Sequence, residues 1–271
     1  MGVTAPAPRP AVQVVAHRGS SEDVPEHTLA AYRKAIDDGA DALECDVRLT
    51  ADGRLVCVHD RRVNRTSNGR GLVSTLELAD LAALDFGSWK AGGIHAEDPE
   101  APDWDRTSVL TLDRLLQLVV DAGRPVQLAV ETKHPTRYAG LVERRLVELL
   151  DRFGLARPVG DTPSPVRVMS FSQLSLRRMR QLAPRLPAVF LMERVPLRFR
   201  DGALPKDVRI AGPSIEIVRA HPRFVARLHR AGHRVHVWTV DRPEDVELCM
   251  TLGVDAIITN RPGAVLRQIS G

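Results

Sequence analysis

Three short stretches hold side chains that chemistry uses and that apolar cores avoid. "VVAHRG" (14 to 19) is an apolar run ending in His17, Arg18 and Gly19. "ALECDV" (42 to 47) carries Glu44 and Asp46, which strand geometry places on one face with Cys45 on the other. "VQLAVETK" (126 to 133) ends with Glu131 and Lys133, again on a shared face. Carboxylates turned into a protein interior are costly unless a cation or hydrogen-bond donors meet them. Three acidic groups without cysteine favour a hard divalent cation, Mg²⁺ or Ca²⁺, while the histidines keep Zn²⁺ and Mn²⁺ open. Arg18 and Lys133 offer the fixed positive charge that phosphate oxygens require. A fourth run, "RLVCVH" (54 to 59), closes on His59. Two histidines, each titrating at about 6.5 when unperturbed, can act as base and acid. A cation, two histidines and two basic side chains make a phosphodiester-cleaving set.

Such residues need elements to bring them together. Besides these four runs, β-branched stretches recur at 166 to 171, 188 to 192, 208 to 212, 233 to 240 and 255 to 260. Helical patterns alternate with them, among them "TLAAYRKAIDDG", "RYAGLVERRLVELLDRFG", "LSLRRMRQLA" and "PEDVELCMTLG", the last opening on Pro243. This alternation predicts a parallel α/β protein, a (β/α)8 TIM barrel, with one strand too many. Asp52-Gly53 between the second and third runs is a hairpin signal, and no crossover helix fits there. The third run is therefore the return arm of a hairpin, and eight barrel strands remain. A two-residue turn at Asp52-Gly53 sets Asp46 opposite His59 and puts Cys57 on the face away from Cys45, against a disulfide. Residues of about 50 to 115 form a small insertion after the second barrel strand. In such barrels functional residues sit at the C-terminal strand ends, where Gly19 would leave room for a ligand.

Composition narrows the classes further. The 44% hydrophobic and 27% charged fractions belong to an ordinary globular protein. No apolar run reaches the roughly 20 residues that cross a bilayer, so no stable membrane insertion is expected. Residues 1–10 read as a flexible tail without secretory or myristoylation signals, ahead of a single catalytic domain over 11–271. The basic residues, 38 against 34 acidic, are mostly scattered Arg with no dense stripe, which argues against nucleic acid. Three cysteines without C-x-x-C spacing fit a reduced, cytoplasmic protein. Nothing in the sequence specifies an oligomeric state.

The stretches "AHRG", "PEHTLAAY", "ECDVRLTADGRLVCVHD", "ETK", "WTV" and "IITNRPG" together resemble the glycerophosphodiester phosphodiesterases, in family order and over most of the chain. Many members read Glu-Asn-Thr where this chain has Glu26-His27-Thr28. The resemblance implies a barrel with an insertion after the second strand. It implies His17 and His59 as the acid/base pair and Glu44, Asp46 and Glu131 as divalent-metal ligands. Arg18 and Lys133 would face the phosphate, Trp238 the glycerol or head group, and Glu26 would be a polar residue beside the site. The implied reaction is metal-dependent hydrolysis of small-molecule glycerophosphodiesters to sn-glycerol 3-phosphate and an alcohol, through a cyclic phosphate. Alternatives are lysophospholipase D or phospholipase C-like cleavage of a lipid phosphodiester, and a non-catalytic phosphate-binding barrel.

Other polar and aromatic residues read as bland. His95, His221, His229 and His233 carry no functional expectation, and His236 reads as a hydrogen-bonded core histidine. His134 follows Lys133 and could brush the site. Trp89 and Trp104 either cap the pocket or pack the insertion. Asp37, Asp38 and Asp41 read as solvated surface near a helix end.

Overall fold

A computed structural model describes residues 12–90, 103–138, 140–157 and 164–270. The expected tail and His95 lie outside the described residues. Among the described residues nine strands form: β1 (Gln13–His17), β2 (Ala42–Leu49), β3 (Leu55–Cys57), β4 (Gln127–Thr132), β5 (Val166–Ser170), β6 (Ala188–Met192), β7 (Ile210–Pro213), β8 (Arg234–Val237) and β9 (Ala256–Thr259). β1 pairs in parallel with both β2 and β9, closing eight parallel strands into a barrel, while β3 lies antiparallel on β2. The barrel strands are apolar on both faces because helices cover the outside and side chains fill the inside. Small and branched residues fill that interior: Val15, Ala42, Ala129, Met169, Val189, Leu191, Ile210, Ala256 and Ile258. Two larger clusters, centred on residues such as Leu43, Leu115 and Leu146 and on Ile215, Phe224 and Val246, bind the helices to the barrel wall.

Local signals set several helix ends. Thr28 accepts from the Ala31 N–H and starts helix Leu29–Asp37. Pro243 opens helix Pro243–Leu252, and Gly253, at φ 68°, closes it in the left-handed conformation. The expected solvated aspartates are partly structural: Asp41 accepts from the Val14 N–H at 2.7 Å, and Asp38 takes the Ser20 hydroxyl at 2.7 Å. Among the described residues no helix is long and apolar enough to cross a membrane.

The hairpin register departs from expectation by one residue. Val47 pairs with Cys57 and Leu49 with Leu55, and the Val58 N–H donates to the Asp46 carbonyl at 3.0 Å, so Asp46 faces Val58 rather than His59. The loop holds three residues, Ala51 to Gly53, closed by Thr50 N–H to Arg54 carbonyl at 2.9 Å, with Gly53 at φ 79°. A three-residue loop with its glycine left-handed is a common hairpin form. One extra loop residue exchanges the faces, so Cys57 shares the face of Cys45; both thiols are free and buried in the same cluster. Val56 of β3, with Val58, Val63, Val73, Leu81, Phe86 and Val109 beyond it, makes a small separate core beside the barrel.

Candidate active site at the barrel mouth

His17 ends β1, Glu44 and Asp46 lie in β2, Glu131 lies in β4 and Lys133 follows it, so parallel register brings them to one end of the barrel. Asp46 pairs with Glu131 across adjacent strands. Ligand oxygens of Glu44, Asp46 and Glu131 all lie within 4.8 Å of one another, and the three residues are buried. Arg18 and Lys133 crowd the same group. The Arg18 Nε is 3.2 Å from Asp46 Oδ2, and Lys133 Nζ is 2.8 Å from Glu131 Oε1 and 3.2 Å from Asp46 Oδ1. The Arg18 backbone N–H donates to Glu44 Oε2 at 3.0 Å.

These distances set the charges. Burial and then Asp46 push Glu44 well above the usual carboxylate range, and the same causes push Glu131 up to about 8. Burial would also raise Asp46, but Lys133, His27 and Arg18 outweigh it and hold its carboxyl well below the usual range. So one carboxylate ionises firmly and two resist. Asp46 Oδ1 also lacks a hydrogen-bond donor despite the nearby ammonium. A compact oxygen-donor set with too much negative charge for its own cations fits a hard divalent ion.

The two histidines are oriented differently. His17 Nδ1 lies 2.7 Å from Asn260 Oδ1, and the Asn260 amide nitrogen donates to Asp241 Oδ2 at 2.6 Å. Since a carboxylate only accepts, the amide is aligned with its oxygen toward His17, which places the proton on Nδ1 and leaves Nε2 facing Glu44. Burial first, then Arg18, hold His17 down to about 3. His59 follows β3, and its Nδ1 is 2.7 Å from Asp60 Oδ1. Asp60 is gripped by Arg65 Nε at 2.8 Å, and Arg65 also donates to both oxygens of Glu26 at 2.9 and 2.7 Å. Glu26 in turn accepts from Arg18 Nη1 at 3.0 Å, so it sits behind the site as a brace for Arg18. Burial lowers His59 and the Arg18 and Lys133 charges add to that, while Asp46 and Asp60 oppose it. Arg48 donates to the His59 carbonyl at 3.0 and 2.6 Å and fixes the backbone there.

His17, Arg18, Glu44, His59, Glu131, Lys133 and Trp238 line one cavity of about 270 Å³. Asp46 and Glu26 stand behind that wall. The rest of the wall is mainly apolar, with Met169, Phe171, Leu191 and Ile258 continuing from Trp238 beside Glu193 and Thr239. Trp238 is fixed by its indole N–H on the Gly212 carbonyl at 2.7 Å and by an edge contact with Phe171. A polar half and an apolar half in one concave space are what a small phosphorylated alcohol would need.

Several partners were missed or misread at the sequence level. Asn260, Asp241, Asp60 and Arg65 orient the histidines; the position of Asn260 just past β9, a strand end, was the available signal. His27 is buried with Nε2 2.9 Å from Asp46 Oδ2 and Nδ1 2.8 Å from the Tyr32 hydroxyl, which donates to the Glu44 carbonyl at 3.0 Å. Its left-handed backbone, φ 60°, is a conformation asparagine also tolerates. Gly19 leaves room for a helix rather than a ligand, since a Cβ there would lie 2.6 Å from the Ala31 carbonyl carbon. His134 turns away to Glu143 at 3.3 Å. Trp89 donates to the Phe86 carbonyl at 2.9 Å within the small core's loop, and Trp104 is exposed.

A (β/α)8 barrel whose mouth gathers histidines, carboxylates and cations is a hydrolase architecture suited to phosphate esters. The glycerophosphoryl diester phosphodiesterase family model matches residues 17–264. A Mycobacterium tuberculosis relative named "Probable glycerophosphodiester phosphodiesterase 1" is 48% identical over 254 residues, covering 92% of this chain and 89% of the relative. The Bacillus subtilis glycerophosphodiester phosphodiesterase is 33% identical over 257 residues, covering 93% and 84%. Among solved structures, an Oleispira antarctica phosphodiesterase in complex with the product sn-glycerol-3-phosphate superposes with a TM-score of 0.81 at 26% identity, covering 97% of this chain and 98% of that one. The chain belongs to the glycerophosphoryl diester phosphodiesterase family and is a phosphoric diester hydrolase of that type.

Proposed function

We propose that the mouth hydrolyses glycerophosphodiesters to sn-glycerol 3-phosphate and an alcohol, with His17 and His59 as the acid/base pair and a cyclic phosphate between two steps. The observation that carries this reading is the 270 Å³ cavity onto which both histidines, two of the three clustered carboxylates and both basic residues open. Glu44, Asp46 and Glu131 would hold one divalent cation, Mg²⁺ or Ca²⁺ by the hardness of the donor set, and that ion would supply Lewis-acid stabilisation of charge on phosphorus. Arg18 and Lys133 bind phosphate oxygens, and Trp238 packs against the carbon skeleton.

Burial lowers the proton affinity of both histidines, and Asp60 counters it at His59. Asp60 offers a negative charge to His59, whereas His17 has only a neutral amide behind it and is held down to about 3. His59 therefore starts as the acid and His17 as the base. His17 Nε2 takes the proton of a glycerol hydroxyl, whose oxygen attacks phosphorus; His59 protonates the departing alcohol oxygen. Water then opens the ring, giving its proton to His59, while His17 returns its proton to the glycerol oxygen.

The apolar wall at Met169, Phe171, Leu191 and Ile258 favours a second reading in which lysophospholipids are also cleaved. The test is release of sn-glycerol 3-phosphate from glycerophosphocholine after chelation, with Mg²⁺, Ca²⁺, Mn²⁺ or Zn²⁺ added back singly, and lysophosphatidylcholine run in parallel. Restoration by one cation supports the reading. Full activity in excess chelator overturns the metal dependence.

A further inference from the structure

The barrel has a second polar end, at the N-terminal side of its strands. A cavity of about 690 Å³ opens there, with Gln13, Gln127, Arg167, Arg234, His236 and Asp255 on its walls. Arg167 is in register with Ala129, whose side chain packs in the barrel interior, so the guanidinium points inward from β5. It is 5% exposed, and its Nη1 donates to Gln127 Oε1 at 2.9 Å. Its Nε and Nη2 have no hydrogen-bond partner. His236 is 4% exposed, a core position as the sequence suggests, and its Nδ1 is likewise unpartnered.

A buried guanidinium ordinarily has a carboxylate. Among the described residues no carboxylate forms an ion pair with Arg167 or Arg234. Asp255 stands on the wall but is committed elsewhere: its Oδ2 accepts from the Val235 N–H at 2.7 Å and lies 3.2 Å from His229 Nε2. Burial, then the Arg234 charge, bring Arg167 down to about 10, with Glu44 partly opposing. Burial and the same two guanidiniums keep His236 neutral, so it can donate only one ring hydrogen. The cavity sets two guanidiniums against one committed carboxylate, and the Nε and Nη2 of Arg167 lack an acceptor.

We propose that this lower cavity is an anion site for a phosphate group, either inorganic phosphate or a small phosphomonoester. The free Nε and Nη2 of Arg167 form the side-on fork that takes two oxygens of one oxyanion. Arg234, exposed at the rim, adds the second positive charge that a dianion needs, and His236 adds a neutral donor. A monovalent carboxylate would leave one of the two guanidiniums uncompensated.

The test is equilibrium dialysis of radiolabelled inorganic phosphate against the full chain at a fixed millimolar concentration, for wild type, Arg234→Ala and Arg167→Gln. Bound phosphate should fall by one per chain in either variant, while glycerophosphodiester hydrolysis stays within about twofold of wild type. Arg234 is on the surface, so its variant folds and keeps the test decisive should Arg167→Gln not. Displacement of the label from the lower cavity by sn-glycerol 3-phosphate would identify a phosphomonoester ligand; persistence would identify inorganic phosphate. Unchanged stoichiometry in both variants overturns the proposal. So does a tungstate-soaked crystal with an anomalous peak at the catalytic mouth and none beside Arg167.

Discussion

His17 and His59 face the same cavity from two different parts of the molecule. His17 ends a central barrel strand, and its side chain is 15% exposed. The amide behind it comes from the far end of the chain and is itself pinned by Asp241. His59 hangs on a three-residue antiparallel strand over a small separate core, and its side chain is 34% exposed. The groups behind it, Asp60, Arg65 and Glu26, are all charged and partly wet. One half is thus positioned by packing and a neutral hydrogen bond, the other by a chain of ion pairs on a satellite of the fold. Two chemically identical side chains acquire different proton affinities first because His17 is the more deeply buried, and the different partners of their second ring nitrogens add to that.

Deleting either histidine should have the largest effect. His17→Ala or His59→Ala should lower kcat by about 10² to 10⁴-fold with the melting temperature little changed, read in paired activity and thermal scans. Near wild-type turnover in either variant would remove that residue from the acid/base pair.

Metal removal comes next, and it acts on the barrel half. Glu131 has a folded value of about 8 against 4.5 unfolded, so its stabilising contribution is full below 4.5 and is lost as pH rises through about 8. Chelator-treated protein should lose melting temperature over that range, and Mg²⁺ or Ca²⁺ should restore it at the alkaline end. A flat profile in chelator would mean that the three carboxylates are not in electrostatic conflict.

The satellite can be weakened by itself. Leu81 is fully buried in the small core, and Leu81→Ala should cost about 2–5 kcal/mol locally. Hydrogen exchange should then accelerate around His59 and leave β1 and β4 protected. Equal acceleration in both places would show that barrel and satellite unfold as one unit.

The partners separate the halves more finely. Asp60→Asn and Asn260→Ala should each lower kcat by about 10 to 100-fold. Only Asp60→Asn should shift the limb of the pH profile that reports the protonated histidine, since only that change removes a charge. His27→Asn is the mildest change. It keeps a left-handed-tolerant residue with one donor for Asp46 and should stay near the wild-type rate, whereas His27→Ala should lose about tenfold.

Much of this was legible in one dimension. All nine strand runs appear, because strands buried on both faces read as continuous apolar stretches. The polar residues closing the first, second and fourth runs stood out because parallel strands deliver their ends to one rim. The hairpin partner of Asp46 was misplaced because Asp52-Gly53 is compatible with both a two-residue and a three-residue loop. That choice is settled by Thr50 closing on Arg54, a contact with no sequence signature.

The sequence by itself determined the class of fold and the residue types at the mouth, since periodicity and strand-end position are local properties of the chain. Tertiary structure alone decided which group stands behind each histidine, that His27 braces Asp46, and that Arg167 is buried without a carboxylate. Those depend on contacts between residues as far apart as His17 and Asn260, and barrel closure creates them by joining β1 to β9.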